Sequence, residues 1–283
     1  MTQTLKQGDR GALVSLLQLG LTRAGQTPGA LDGIFGAQTA AAVRAFQAAS
    51  ALTPDGIAGA RTHRALLPYY TGFVTRTIRA GDTFFALARQ YGTSVDTIRL
   101  ANPYLDPERL PLGRTLTIPL PFSVTPTDIP YSSALIGYIV RGLAARYPML
   151  AVGEFGRSVL GRPLWYLTLG SGPKLVFYNA AHHANEWITT PLLTFCEQLC
   201  ARLGDGGDME GQNIRDLLSR PARAARGAAA FLKGLAPRRR RVYTEGAAFA
   251  APFTLRKKGG QPPCRTFSPS PILPIPHWTF THA

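Results

Sequence analysis

Two side chains invite a chemical reading before any others. His183 and Glu186 stand three residues apart in Ala181-His-His-Ala-Asn-Glu-Trp187, where an apolar run ending at Tyr178 gives way to a helix that begins near Glu186. Imidazole nitrogen and carboxylate oxygen are donors that zinc takes in hydrolytic centres, alongside a third protein ligand and an open position for water. A strand-end loop entering its first helical turn can bring both groups to one ion. Zinc held there would lower the pKa of its water and polarise a scissile carbonyl. By itself His-x-x-Glu is a weak signal, because such a pair arises often by chance. His182 reads as a neighbour and not as a ligand.

The elements that must position this pair can be read upstream. Ser132 or Ser133 caps an amphipathic helix carrying Leu135, Ile136, Ile139, Val140 and Leu143, which Pro148 ends. Val152 to Phe155, Leu164 to Leu169 and Leu175 to Tyr178 read as strands, the first two joined by Gly156-Arg-Ser-Val-Leu-Gly-Arg162. Strands mixed with helices indicate an α/β domain with a mixed sheet. Tyr147-Pro148, Gly156 to Arg162, the strand at Lys174 to Tyr178 and His182 to Trp187 together resemble the zinc metallocarboxypeptidase family. The nearest branch is the bacterial γ-D-glutamyl-diaminopimelate endopeptidases. The resemblance implies one zinc ion with His183 and Glu186 as two of its three ligands, and peptide bonds of cell-wall stem peptides as substrate.

The resemblance stops after Gly206 to Arg220. A further strand and an Asn-Pro-Asp-Gly turn are expected there; Pro221-Ala-Arg-Ala-Ala-Arg-Gly follows instead. The family's third zinc ligand, its substrate-carboxylate Arg and its catalytic Glu belong to the absent half. Neither His277, His282 nor Glu245 stands in a matching context, so the general base is unassigned. Residues 221–283 carry Arg238 to Arg241 in a row and many prolines, with neither helical nor strand period. The abrupt change motivates the hypothesis of a reading-frame shift near Arg220. The tail is expected to lack a stable fold, and the domain to be truncated and its peptidase activity impaired.

Nearer the N-terminus the chain repeats itself. Leu31-Asp-Gly-Ile-Phe-Gly-Ala-Gln-Thr39 returns 23 residues later as Pro54-Asp-Gly-Ile-Ala-Gly-Ala-Arg-Thr62. Asp-Gly sets a tight turn, the following isoleucine can anchor it, and the threonine suits a helix N-cap. Leu13, Leu16, Leu17 and Leu21 mark an earlier helix, and Ala42, Val43 and Phe46 a later one, so Leu5 to about Leu67 reads as a three-helix unit. Gly11 to Gln18, Asp32 to Gly36, Ala42 to Gln47 and Asp55 to Gly59 resemble the helical peptidoglycan-binding domain family. The repeated residues read as turn and cap formers, and none is assigned to a ligand.

A second small unit follows. Thr77-Ile-Arg-Ala-Gly-Asp-Thr-Phe-Phe85 gives a strand, a turn at Gly81 and a helix entered through Asp82 or Thr83, with Phe85, Leu87, Ala88 and Tyr91 as its apolar face. Thr93 or Ser94 caps the next helix, Asn102-Pro103 breaks it, and Leu112 to Pro119 returns as a strand. Ala80-Gly-Asp-Thr-Phe84, Leu100-Ala-Asn102 and Leu112 to Pro119 resemble a LysM domain, which implies binding of N-acetylglucosamine-containing glycans. On that resemblance Gly81, Asp82, Thr83, Asn102, Pro103, Tyr104 and Leu105 line the sugar groove. Asn102 reads equally as a turn former.

These readings give a multidomain chain: an all-α unit at 1–70, an α+β (βααβ) LysM unit at 74–120, a linker at 121–130, the first part of an α/β carboxypeptidase-like domain at 131–220, and the tail. Wall-binding modules on a short linker would concentrate a hydrolase on its insoluble substrate. The expected partners are peptidoglycan glycan chains and stem peptides, and a non-catalytic wall-binding protein is the alternative. The formal net charge of +15 suggests an anionic polymer, yet residues 221–283 hold eleven of the 31 Lys and Arg and one of the 16 acids. The charge thus belongs mainly to the tail, and no specific nucleic-acid partner is expected. No run is long and apolar enough to span a membrane. No signal peptide is legible at Met1 to Arg10, so the expected location is the cell wall or the cytoplasm. Cys196 and Cys200, four apart on a helix, read as small buried residues.

Overall fold

The computed structural model describes residues 3–170, 176–179, 189–204 and 248–251. Three helices open the chain: α1 (Ala12–Arg23), α2 (Ala37–Ala49) and α3 (Ala60–Thr71). Each buries the apolar stripe that helical spacing demands: Val14, Leu17 and Leu21 on α1, Val43 and Phe46 on α2, Leu66 and Tyr70 on α3. The two repeated threonines do not cap their helices. Gly36 and Gly59 occupy the N-cap positions without side-chain caps, while Thr39 and Thr62 lie inside the first turn and are buried. Their hydroxyls turn inward, where that of Thr39 accepts from the buried side-chain amide of Gln18 and that of Thr62 from the amide of Gln47.

The second unit has the expected order of strand, helix, helix, strand. Its strands β1 (Phe73–Thr77) and β2 (Thr115–Pro119) pair antiparallel, from Phe73 opposite Pro119 to Thr77 opposite Thr115. Between them lie α4 (Phe84–Tyr91) and α5 (Val95–Ala101), capped by the hydroxyls of Thr83 and Ser94. Ile78, Phe84, Leu87, Ile98, Leu116 and Ile118 form its own small core. On α4 the expected Leu87 and Ala88 are buried and Tyr91 packs against them, but Phe84 takes the place expected of Phe85, which is 72% exposed.

The third unit begins with α6 (Ser133–Arg146), whose N-cap Ser132 accepts from the Leu135 N–H. β3 (Leu150–Arg157) and β4 (Pro163–Leu169) form an antiparallel hairpin with a bulge between Glu154 and Gly156. β5 (Val176–Asn179) is followed by α7 (Thr189–Gly204) and β6 (Ala248–Ala251), giving a mixed sheet in the order β3-β4-β6-β5. β6 runs parallel to β4 and antiparallel to β5. The tail was expected to lack structure throughout, and β6 corrects this for four residues. The unpaired backbone groups between β4 and β5 offer partners that a short apolar run can take without any periodic pattern of its own. The rest of residues 221–283 lies outside the described residues.

The segment expected to be a linker is packed. Val124 is fully buried and Ile129 nearly so, and both belong to one continuous core that runs from α1–α3 through α6 to Leu193, Cys196 and Cys200 of α7. Gly142 makes the close approach possible. A Cβ there would stand 2.1 Å from the Thr71 carbonyl oxygen at the end of α3 and 2.6 Å from Val124. Tyr70 and Tyr138 bring their rings to 5.1 Å across the same junction. Cys196 and Cys200 are buried free thiols; contact with Cys196, and burial, push the Cys200 thiol far up.

Candidate wall-binding and metal sites

The seven residues expected to line the LysM groove divide by what they do. The Asp82 carboxylate accepts from the Arg79 N–H at 2.8 Å and from the Arg76 guanidinium at 2.9 and 3.2 Å. The Arg79 amide first, then Arg76, hold it below the usual carboxylate range. Thr83 is spent on its cap, accepting from Ala86 N–H at 3.0 Å. Asn102 is fully buried. It donates to the carbonyls of Ile98 and Thr117, both at 2.7 Å, and accepts from the Thr117 N–H at 3.0 Å, tying the end of α5 to β2. Its carboxamide is therefore fully engaged within the unit, on the turn-former side of the two sequence readings. Leu105 is in the core. Gly81, at positive φ, and Pro103 and Tyr104 stand on the surface, Tyr104 66% exposed. An aromatic face and adjoining backbone are what a sugar ring can stack on and hydrogen-bond to.

The helical unit holds a device that the sequence reading missed. The Gln18 amide nitrogen donates to the Asp32 carboxylate, the Ile34 carbonyl and the Thr39 hydroxyl at 3.0, 3.2 and 3.3 Å, and its oxygen accepts from the Gly33 N–H at 2.9 Å. Gln47 repeats the set on Asp55, Ile57, Thr62 and Gly56 at 2.8, 3.0, 3.1 and 3.0 Å. Each buried amide locks one Asp-Gly-Ile turn to a helix. The carboxylates sit below the usual range, Asp32 chiefly through Gln18 and Asp55 chiefly through the Ile57 N–H. A legible signal existed: Gln18 shares the stripe of Val14, Leu17 and Leu21, and Gln47 that of Val43 and Phe46. A polar residue on an apolar stripe must find a buried partner. On the outer face, Gln26, Thr27 and Gln38 surround a groove of about 420 Å³ beside Gly29. Ala41, Ala42 and Ala45 of α2 line it as well, so its lining is uncharged and hydrogen-bonding.

His183 and Glu186 lie outside the described residues, as does the loop carrying them. Among the described residues no group of three His, Cys, Asp or Glu could hold a metal. The case for zinc therefore rests on the donor types of those two residues and on family likeness. No helix among the described residues is long and apolar enough to cross a membrane.

The likeness extends over most of the chain in three pieces. Residues 10–66 match the family described as "Putative peptidoglycan binding domain", residues 77–119 the LysM domain, and residues 138–220 zinc carboxypeptidase. The last match ends where the sequence itself departs from the peptidase pattern. Over 123 residues the chain is 31% identical to the uncharacterized protein YqgT of Bacillus subtilis (strain 168), covering 41% of this chain and 31% of that protein. Over 88 residues it is 33% identical to gamma-D-glutamyl-L-diamino acid endopeptidase 1 of Lysinibacillus sphaericus, covering 31% of this chain and 22% of that protein. The chain spans less than a third of the length of these curated relatives. Among solved structures, the SleB N-terminal domain is 39% identical and covers 24% of this chain and 92% of its own, with a TM-score of 0.23. Motifs and matches agree: the chain carries, in order, a peptidoglycan-binding domain, a LysM domain and part of a zinc carboxypeptidase domain.

Proposed function

We propose that this protein binds the bacterial cell wall through its first two domains. In this reading the LysM domain takes N-acetylglucosamine-containing glycan on the surface of Gly81, Pro103 and Tyr104, and the helical domain uses the uncharged groove beside Gln26 and Gln38. The observation that carries the reading is the succession of two wall-binding matches ahead of a peptidase match, residues 10–66, 77–119 and 138–220. The third domain is by kinship a zinc peptidase acting on stem peptides, with His183 and Glu186 as metal ligands, and in this chain it is impaired. Two ligands hold zinc weakly, and without a general base the water is poorly activated. Its place of action is the wall.

Co-sedimentation of the full chain with purified peptidoglycan tests the first part, and Tyr104→Ala is expected to weaken it. A chain that stays in the supernatant at all wall concentrations overturns the reading. Zinc content and turnover of a γ-D-Glu-diaminopimelate peptide test the second part. Less than one zinc per chain and no turnover are expected; turnover abolished by His183→Ala would refute impairment. A second reading, a purely non-catalytic wall binder, is favoured by the missing third ligand and general base. Translating the coding DNA near Arg220 in all frames separates the two. A frame that resumes the peptidase pattern marks this chain as a shifted product of a complete enzyme.

A further inference from the structure

Polar side chains that are buried where three units meet decide whether those units swing or are fixed. Arg146, at the last turn of α6, is nearly buried and donates to the Gly72 carbonyl at 3.1 and 3.3 Å and to the Leu120 carbonyl. Gly72 precedes β1 and Leu120 follows β2, so one guanidinium closes both ends of the LysM unit; the Leu120 N–H also reaches the Gly72 carbonyl at 2.9 Å. Glu197 of α7, 6% exposed, lies 3.6 Å from Arg146. Its carboxylate accepts from the Ser123 hydroxyl at 2.7 Å, the Val124 N–H at 2.8 Å, the Thr125 N–H at 2.9 Å and the Thr125 hydroxyl. From the helical unit, Arg23 donates to the carbonyls of Tyr69, Ser123 and Val124 at 3.1, 2.7 and 3.2 Å and lies 4.6 Å over the Phe122 ring. Burial lowers the Arg23 guanidinium to about 10, against the opposing pull of Glu197.

We infer that Arg146 and Glu197 are positioning residues: they fix the helical and LysM units as one rigid body with the peptidase-like unit, so that the wall-binding surfaces are held in register with it instead of tethered to it. A buried carboxylate with four hydrogen-bond donors and a buried cation has no room to exchange partners with water, and separating the units would strand both charges. The connection at 121–130 is thus a strap and not a flexible spacer. Together with the reading of wall binding above, on which this consequence alone rests, a held glycan strand presents its stem peptides at a set distance from the third domain. The gain is then orientation and not only local concentration.

The test is ¹⁵N relaxation of the full chain without any glycan. Amides of the LysM and helical units are expected to share one tumbling time, which Glu197→Ala abolishes by freeing the LysM unit while its own amide protection persists. Arg146→Met combined with Glu197→Leu removes both charges while keeping bulk, and is expected to free the LysM unit in the same way should the single variant fail to fold. Independent tumbling in the native chain, or common tumbling retained in the double variant, overturns the inference. Failure to bind wall would leave this readout untouched, so the two readings fall separately.

Discussion

The helical domain and the junction behind it both bury polar side chains, by opposite means. In the helical domain the work is done by neutral amides, Gln18 and Gln47, each satisfying a turn 8 to 21 residues away in the same unit. At the junction it is done by charges, with Glu197 reaching partners 72 to 74 residues away and Arg23 partners 46 to 101 away. An amide carries both a donor and an acceptor and loses little on burial, so it can complete a module early and locally. A buried ion pair is repaid only when every partner is in place. The clamps therefore make a domain, and the charges join domains.

That contrast can be broken most sharply at the junction. Glu197→Ala should cost about 3–5 kcal/mol, because it leaves Arg146 buried without its carboxylate and strips Val124 and Thr125 of their acceptor. Chemical denaturation read by fluorescence would show it as a loss of the joint transition; a change below about 1 kcal/mol would mean that water already enters the junction. Gly142→Leu is expected to be comparably severe, since even a Cβ meets the Thr71 carbonyl at 2.1 Å.

Next come the clamps. Gln47→Ala strands the buried Gly56 N–H and should destabilise the helical domain by about 1–3 kcal/mol, with Gln18→Ala, which strands the Gly33 N–H, equal to it within error. Unequal losses would show that the two repeats are alike in sequence but not in energetics. Thr83→Ala, which removes an exposed cap, should cost the LysM unit about 1 kcal/mol by thermal unfolding and leave the helical domain unchanged.

The smallest effects are in pH. His63 is held below its ordinary 6.5, first by burial, with its ring nitrogens 3.0 Å from the Tyr70 hydroxyl and 3.1 Å from the Gln3 carbonyl. The fold favours neutral imidazole, so the unfolded chain binds the proton first, and stability falls as pH drops below that value. Asp32, Asp55 and Asp82 are depressed below 3.8. Their contribution is whole above that value and disappears as pH falls through the lower, folded value. Melting temperature should therefore decline in two stages on acidification, and His63→Leu should remove only the first.

Much of the local architecture was legible. Helical stripes, the Asp-Gly repeat and the βααβ order of the second unit follow from spacings of a few residues, and Ser94 and Thr83 were among the caps named from sequence. What misled were polar residues whose partners lie inside. Thr39 and Thr62 have the composition of caps but serve buried amides. Asn102 could have faced a sugar or a turn, and the structure engages it fully between α5 and β2. The strap 121–130 has the Pro and Ser content of a linker, yet Val124 and Ile129 are buried. The proposed metal ligands His183 and Glu186 rest on sequence and kinship.

By itself, then, the sequence determined the helices, strands and turns of the three units, though not β6, and the order in which a peptidoglycan-binding domain, a LysM domain and part of a zinc carboxypeptidase domain follow one another. Periodicity and capping act within a few residues, and their energetics need no distant partner. Tertiary structure alone decided that the helical and carboxypeptidase-like units share a core, and that a charged junction ties to them the LysM unit, which keeps its own. Arg146 and Glu197 each sit on an otherwise apolar helical stripe, which announces that a partner must exist; only the packing of α6, α7 and the strap brings the oxygens and nitrogens of residues 51 to 74 positions apart within reach, where burial makes their pairing obligatory.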